Sequence, residues 1–155
     1  MRLLIVAVGR LRRGPEANLT ADYLARAGKT GRAIGLAPVD LTEVEDRKGR
    51  GPAAEAALLA EAAGSARRIA LDERGRTLSS PDLAETLARW RDDGVREAAF
   101  LIGGADGLAP ALRESAALTL SFGPMVWPHA LARVMLAEQL YRATTILAGG
   151  PYHRT

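Results

Sequence analysis

The hydrophobic positions of this chain fall into short unbroken runs and helical periods, with little of the strict alternation that marks a half-exposed strand. Leu3 to Val8 is one such run, ended by Gly9, and Ala98 to Ile102 is another, ended by Gly103 and Gly104. Such runs suit strands covered on both faces, which need no polar alternation. Shorter strands are predicted near Ile34 to Leu36, at Arg68 to Leu71 and at Leu118 to Phe122. Helical stretches lie between them, from about Glu16 to Ala27, Ala53 to Ala63, Leu108 to Ala117 and His129 to about Leu147. A further helix opens with Ser80 as N-cap, Pro81 in the first helical position and Asp82 in the first turn, and Gly94 lies beyond its end. Leu83, Leu87 and Trp90 are at helical spacing on it and read as core. Strands alternating with helices predict an α/β fold, a mainly parallel sheet with helices on both faces.

Some stretches stand apart from this scheme. Thr42 to Pro52 sets Glu43, Glu45, Asp46, Arg47, Lys48 and Arg50 among glycines and a proline, and reads as either a solvated connection or a basic loop near RNA. Asp72 to Arg76 reads as a charged turn. Gly123 to Pro128 holds Met125, Val126 and Trp127 between two prolines, a loop so apolar that the core, a subunit or a cofactor should cover it. In the last helix, at ~100° per residue, Leu136, Leu140 and Leu147 fall on one side. Leu131, Met135 and Ile146 fall nearly opposite, so a second surface is needed, and a homodimer is expected. Glu138 and Arg142 are spaced to pair along that helix.

Composition narrows the classes. At 155 residues, 48% hydrophobic and 25% charged, the chain suits one globular domain over 1–155. It has no cysteine and two histidines, His129 and His153, so a disulfide framework is excluded and no metal is expected. The apolar run at Leu3 to Val8 is too short for a signal-peptide core or a membrane span, which points to a cytoplasmic protein. A net charge of +3 permits a nucleic-acid partner. Arg10, Arg12 and Arg13 follow the first strand, where open α/β sheets bind ligands, and are either phosphate contacts or a solvated loop.

Two places carry candidate chemistry. Gly103, Gly104 and Gly107 allow positive φ and close approach of another molecule after a buried strand. Their spacing is neither a dinucleotide fingerprint nor a P-loop, so a plain tight turn and a ligand-holding turn both stay open. The tail Pro151-Tyr152-His153-Arg154 joins an aromatic ring, an imidazole and a guanidinium, a set suited to a nucleobase.

Together these residues resemble the RlmH family, small SPOUT-class methyltransferases. The likeness runs through Leu4-Ile5-Val6-Ala7-Val8-Gly9, Ala70-Leu71-Asp72 and Leu101-Ile102-Gly103-Gly104. It continues through Pro128-His129, Arg133-Val134, Ala137 to Ala143 and Pro151 to Arg154, and is loose from Thr30 to Gly64. The resemblance implies a trefoil knot at the C-terminal end of the sheet. It also implies S-adenosylmethionine as cofactor, held by Leu71, Gly103, Phe122, Gly123, Pro124, Met125, Val126 and Trp127. The implied reaction is methylation of N3 of a pseudouridine in 23S ribosomal RNA on the assembled ribosome, at a site shared by two subunits. His153 would assist proton removal, Arg142 and Arg154 would stabilise charge or grip phosphates, Tyr152 would stack on the base, and His129 and Glu138 would shape the site. Asp106 stands where many relatives carry glutamate. Two other readings remain: a dimeric RNA- or ribosome-binding module with a vestigial cofactor pocket, and a nucleotide-binding enzyme. No P-loop lysine or metal-ligand cluster supports the second.

Overall fold

The computed structural model describes residues 1–154. Five strands, β1 (Arg2–Val8), β2 (Val39–Val44), β3 (Arg67–Thr77), β4 (Glu97–Ile102) and β5 (Leu118–Ser121), form one sheet in the order β2-β1-β4-β3-β5. Every pairing is parallel. The two unbroken apolar runs, β1 and β4, are neighbours, with Leu3 opposite Ala98 and Ile5 opposite Phe100.

Alternate residues of β1 serve two cores. Leu3, Ile5 and Ala7 face α1 (Pro15–Arg32), α3 (Ser80–Asp92) and α5 (His129–Ala148), meeting Leu24, Ala27, Leu87, Trp90, Leu136 and Leu140. Leu4 and Val6 face α2 (Pro52–Ala63) and the short α4 (Pro110–Glu114), meeting Leu59, Ala63 and Leu112. Phe100 and Leu101 are fully buried on opposite faces of β4, and burial of each such side chain is worth about 1.5–3 kcal/mol. The expected parallel sheet with helices on both faces is what forms.

Several boundaries differ from the sequence reading. The second strand is Val39–Val44, not Ile34 to Leu36. α1 continues to Arg32, helped by Lys29 and Arg32 in its last turn. Leu36 is then a buried plug whose amide donates to the Gly31 carbonyl at 2.9 Å. β2 pairs only with β1 and is half-exposed along most of its length, so its charged positions imitate a loop. The connection after it is correspondingly shorter than Thr42 to Pro52.

The charged stretch Asp72 to Arg76 is not a turn but part of β3. A register shift lets both Leu71 and Arg76 lie opposite Leu120 of β5, and the intervening residues bulge. α3 is capped by Ser79, whose hydroxyl accepts from the Asp82 amide at 3.1 Å. Ser80 instead donates its hydroxyl to Gln139 Oε1 at 2.6 Å. The helix expected over Leu108 to Ala117 shrinks to the five residues of α4, because Pro110 holds Ala109 extended at the entry. Strand β5 stops at Ser121, one residue short of Phe122. On α5 the second apolar face is narrower than expected. Ile146 packs against the main core, Met135 is half-buried and Leu131 stays exposed.

Candidate active site

The bulged middle of β3 and the C-terminal ends of β4 and β5 converge on a cleft of about 350 Å³. Its walls are Leu71 to Arg74, Ile102 to Leu108, and the chain from Leu120 to Trp127, with His129 and Ala132 of α5 at one side. Seven expected cofactor positions line it: Leu71, Gly103, Phe122, Gly123, Met125, Val126 and Trp127. Pro124, in the same loop, does not line it.

The glycine turn works mainly through space. Only Gly107, at φ 75°, takes the left-handed conformation, so the expectation of positive φ at Gly103 and Gly104 is corrected. A Cβ on Gly103 would lie 2.6 Å from the Gly107 carbonyl carbon, and one on Gly104 would lie 2.7 Å from Glu55 Oε2. The Gly107 amide donates to the Gly104 carbonyl at 3.0 Å and closes the turn.

The opposite wall is held by Ser121. This buried hydroxyl donates to the Glu73 carbonyl at 3.1 Å and accepts from the Gly123 amide at 3.0 Å, tying the apolar loop to β3. Asp72 Oδ2 takes Arg113 Nη1 at 3.2 Å, and Oδ1 takes the Arg74 amide at 2.9 Å. Sequence reasoning missed Ser121 and Asp72 as site residues. A lone serine at a strand end carries no signal, and Asp72 was masked by the charged stretch around it. The chain's own core does not cover the loop, since Met125 is 70% exposed and Val126 84%, which leaves a subunit or a cofactor of the expected covers.

A second cluster lies on α5 and the tail. Glu138 Oε1 accepts from Arg142 Nη2 at 2.6 Å, from Arg142 Nε at 3.0 Å and from the Tyr152 hydroxyl at 3.0 Å. The Arg142 guanidinium stacks 4.8 Å above the Tyr152 ring, which packs 4.5 Å from Tyr141. Burial and the bond to Glu138 push the Tyr152 phenol up to about 12. The same carboxylate, outweighing burial, raises Arg142 above its ordinary value. His153 Nδ1 is buried without a hydrogen-bond partner, and Arg154 is exposed. The tail thus joins Glu138 and Arg142, while of the six expected catalytic residues only His129 lines the cleft of the same chain. Glu138 borders an adjoining groove with Leu19, Tyr23, Leu83, Phe122 and Met135.

A third cluster was not anticipated. Arg133, 1% exposed, donates to Glu43 Oε2 at 2.6 Å and to the Gly9 and Val8 carbonyls at 3.1 and 3.4 Å. Among the described residues no three His, Cys, Asp or Glu side chains gather to hold a metal, and no helix is long and apolar enough to cross a membrane.

A family model described as "Predicted SPOUT methyltransferase" matches residues 1–153. This chain belongs to the SPOUT methyltransferase family. Among its SPOUT relatives, ribosomal RNA large subunit methyltransferase H of Paracoccus denitrificans is 64% identical over 155 residues, covering 99% of both chains. The protein of that name from Cereibacter sphaeroides is 67% identical over the same span, again 99% of each chain. Among solved structures, a probable methylase family protein from Haemophilus influenzae is similar at a TM-score of 0.52 and 15% identity, over 99% of this chain and 70% of that one. That likeness concerns the SPOUT fold alone.

Proposed function

We propose that this protein is an S-adenosylmethionine-dependent methyltransferase that modifies N3 of a pseudouridine in 23S ribosomal RNA. It works on the assembled ribosome, as a cytoplasmic homodimer of one SPOUT domain per chain. The observation that carries the reading is the identity of 64% across 99% of both chains to a relative named for large-subunit ribosomal RNA methylation. A trefoil knot at the C-terminal side of the sheet belongs to the same reading.

The cleft fits the cofactor. Its glycine turn closes tightly on itself, with the Gly107 and Leu108 backbone filling the place of a Gly103 Cβ, so that a compact turn borders the ligand space, while Met125, Val126 and Trp127 offer apolar cover. Asp72, Glu73 and Asp106 on its walls suit a ligand bearing positive charge. When bound, S-adenosylmethionine supplies a methyl group activated by its sulfonium.

The residues of the chain supply position and charge. None of Arg142, Tyr152, His153 or Arg154 lines its own cleft, which supports a site completed by the tail of a second copy. The exposed loop at Met125 and Val126 and exposed Leu131 give that copy an apolar surface to cover. Tyr152, held protonated, cannot act as a base near neutral pH and serves as a stacking ring. His153 takes the N3 proton of the imide, so that the nitrogen's electron pair becomes available. Arg142, fixed by Glu138, and Arg154 stabilise the resulting negative charge. His129 shapes the lip of the cleft. Positioning and electrostatics account for most of the acceleration, since methyl transfer needs no covalent enzyme intermediate.

The test is methyl incorporation from labelled S-adenosylmethionine into assembled ribosomes and into naked ribosomal RNA, followed by mapping of the product nucleotide. One modified pseudouridine on the ribosome is expected. No transfer to either substrate, together with no cofactor binding, would leave a dimeric RNA-binding module. His153→Ala should lower turnover and leave cofactor affinity unchanged; equal turnover removes His153 from proton transfer.

A further inference from the structure

The loop between β1 and α1 carries Arg10, Arg12 and Arg13, and the neighbouring loop between β2 and α2 carries Glu45, Asp46, Arg47, Lys48 and Arg50. β1 and β2 are paired, so both loops leave the same end of the sheet side by side. Six cations face two carboxylates there, a surplus of four against +3 for the whole chain. The basic character of the protein is therefore concentrated at this corner.

The two loops divide the charge unequally. Glu45 takes Arg10 at 3.2 Å and Arg47 at 3.8 Å, and Asp46 takes Arg50 at 3.2 Å. Among the described residues, Arg12 and Arg13 form no ion pair, and both are exposed. An unpaired exposed guanidinium is open to a phosphate, which it can grip through two parallel hydrogen bonds.

What separates this loop from an ordinary solvated one is how its backbone is held. Buried Arg133 binds the Val8 and Gly9 carbonyls, and Glu43, which Arg133 also binds, accepts from the Leu11 amide at 2.7 Å. The Gly9 amide donates to the Val44 carbonyl at 2.8 Å. Arg133, a long charged side chain buried on α5, and its partner Glu43 thus together fix the backbone at Val8, Gly9 and Leu11, just before Arg12. The loop also adjoins the cleft. Val8 Cγ1 lies 3.2 Å from where a Cβ on Gly104 would stand, and Arg133 follows cleft-lining Ala132.

We infer that Arg12 and Arg13 form a phosphate grip for ribosomal RNA, positioned against the cleft by the buried pair of Arg133 and Glu43. The inference rests on the rRNA reading above and adds the surface that docks the substrate. Phosphate contacts carry no sequence information and fix register and orientation, which is the task left to a small enzyme whose target base is presented by a folded particle. Pinning the backbone in advance lowers the ordering cost of binding.

The experiment compares wild type, Arg12→Ala/Arg13→Ala, Arg12→Lys/Arg13→Lys and Arg96→Ala, the last at the opposite end of the sheet. Binding to purified ribosomes is titrated with salt, and methyl transfer is followed over ribosome concentration. The alanine pair should weaken ribosome binding on the order of tenfold or more near 0.1 M salt and lower the slope of log K against log salt by about one to two. KM for ribosomes should rise in step, and calorimetric affinity for S-adenosylmethionine should hold. The lysine pair should recover most of the slope, and Arg96→Ala should match wild type. Unchanged binding and slope in the alanine pair, or the same loss in Arg96→Ala, overturns the grip. If wild type transfers no methyl group to ribosomes, the enzyme reading fails while the salt titration still decides the loop.

Discussion

Arg133 Nη1 stands 2.6 Å from Glu43 Oε2, a bond between residues 90 apart in the chain that joins α5 to the end of β2. The two partners are unequally buried, with side-chain exposures of 1% and 27%. Removing one member of a buried pair strands the other. Glu43→Ala leaves a guanidinium in the interior with two carbonyls, and should cost about 3–5 kcal/mol. Arg133→Met leaves a carboxylate that reaches water and still holds the Leu11 amide, so its cost should be smaller by about 1–2 kcal/mol. Urea unfolding of both variants checks this; equal losses would mean that Glu43 is as desolvated as Arg133.

The Tyr152 phenol offers a titration. Its pKa rises from the ordinary 10.0 to about 12, first through burial and then through the bond to Glu138. A raised folded-state pKa means that the protonated ring stabilises the fold fully below pH 10 and that this contribution fades as pH climbs toward 12. Tyrosinate absorbance, taken as the difference between wild type and Tyr152→Phe, should give a midpoint well above the ordinary value. Glu138→Gln should bring that midpoint down, since a neutral amide no longer disfavours the phenolate. A midpoint near 10 in wild type would show that the tail is not packed on α5.

The glycine turn should answer unequally to a methyl group. A Cβ on Gly103 meets the backbone of Gly107 and Leu108 at 2.6–2.9 Å, whereas on Gly104 it meets the end of the Glu55 side chain at 2.7 Å. Backbone cannot step aside and a side-chain tip can. Gly103→Ala should therefore lose affinity for S-adenosylmethionine by on the order of tenfold or more, measured by calorimetry, and Gly104→Ala should lose less. Glu55→Ala should restore Gly104→Ala, while Gly103→Ala should be indifferent to it.

The proposed dimer can be broken at its edge. Val126 and Leu131 are 84% and 41% exposed beside the cleft, so a charge there costs the single chain little. Val126→Asp/Leu131→Asp should sediment as a monomer, keep its circular dichroism and lose methyl transfer. A monomeric wild type, or a monomeric variant with full activity, would remove the partner's tail from the site.

The central strands β1 and β4, the helices α2, α3 and α5 and the core positions Leu83, Leu87 and Trp90 were legible because double-sided burial and helical spacing leave strong local signals. β2 was not, since an edge strand tolerates Asp40, Thr42 and Glu43 and so looks like a loop. The charged half of β3 was hidden because it runs beyond the pairing with β4, which ends at Ala70, and bulges against β5, so it carries no pattern of double-sided burial. The cleft positions from Leu71 to Trp127 were reached through resemblance, and all but Pro124 line one cavity. The pairing of Glu138 with Arg142 followed from helical spacing, but its extension to Tyr152 needs the tail to fold back. The bond from Arg133 to Glu43 had no local signal, because its partners meet only once α5 crosses the ends of β1 and β2.

The two tryptophans divide the molecule optically. Trp90 is buried, with the Arg67 guanidinium 5.0 Å above its ring, while Trp127 is 41% exposed at the lip of the cleft. The first emits from an apolar interior and the second from a partly aqueous one, so intrinsic fluorescence carries two separable colours. Unfolding moves the blue component; a ligand closing over the lip shifts or quenches the red one. The chain thus carries its own reporter of occupancy, and Trp127→Phe provides the blank against which it is read.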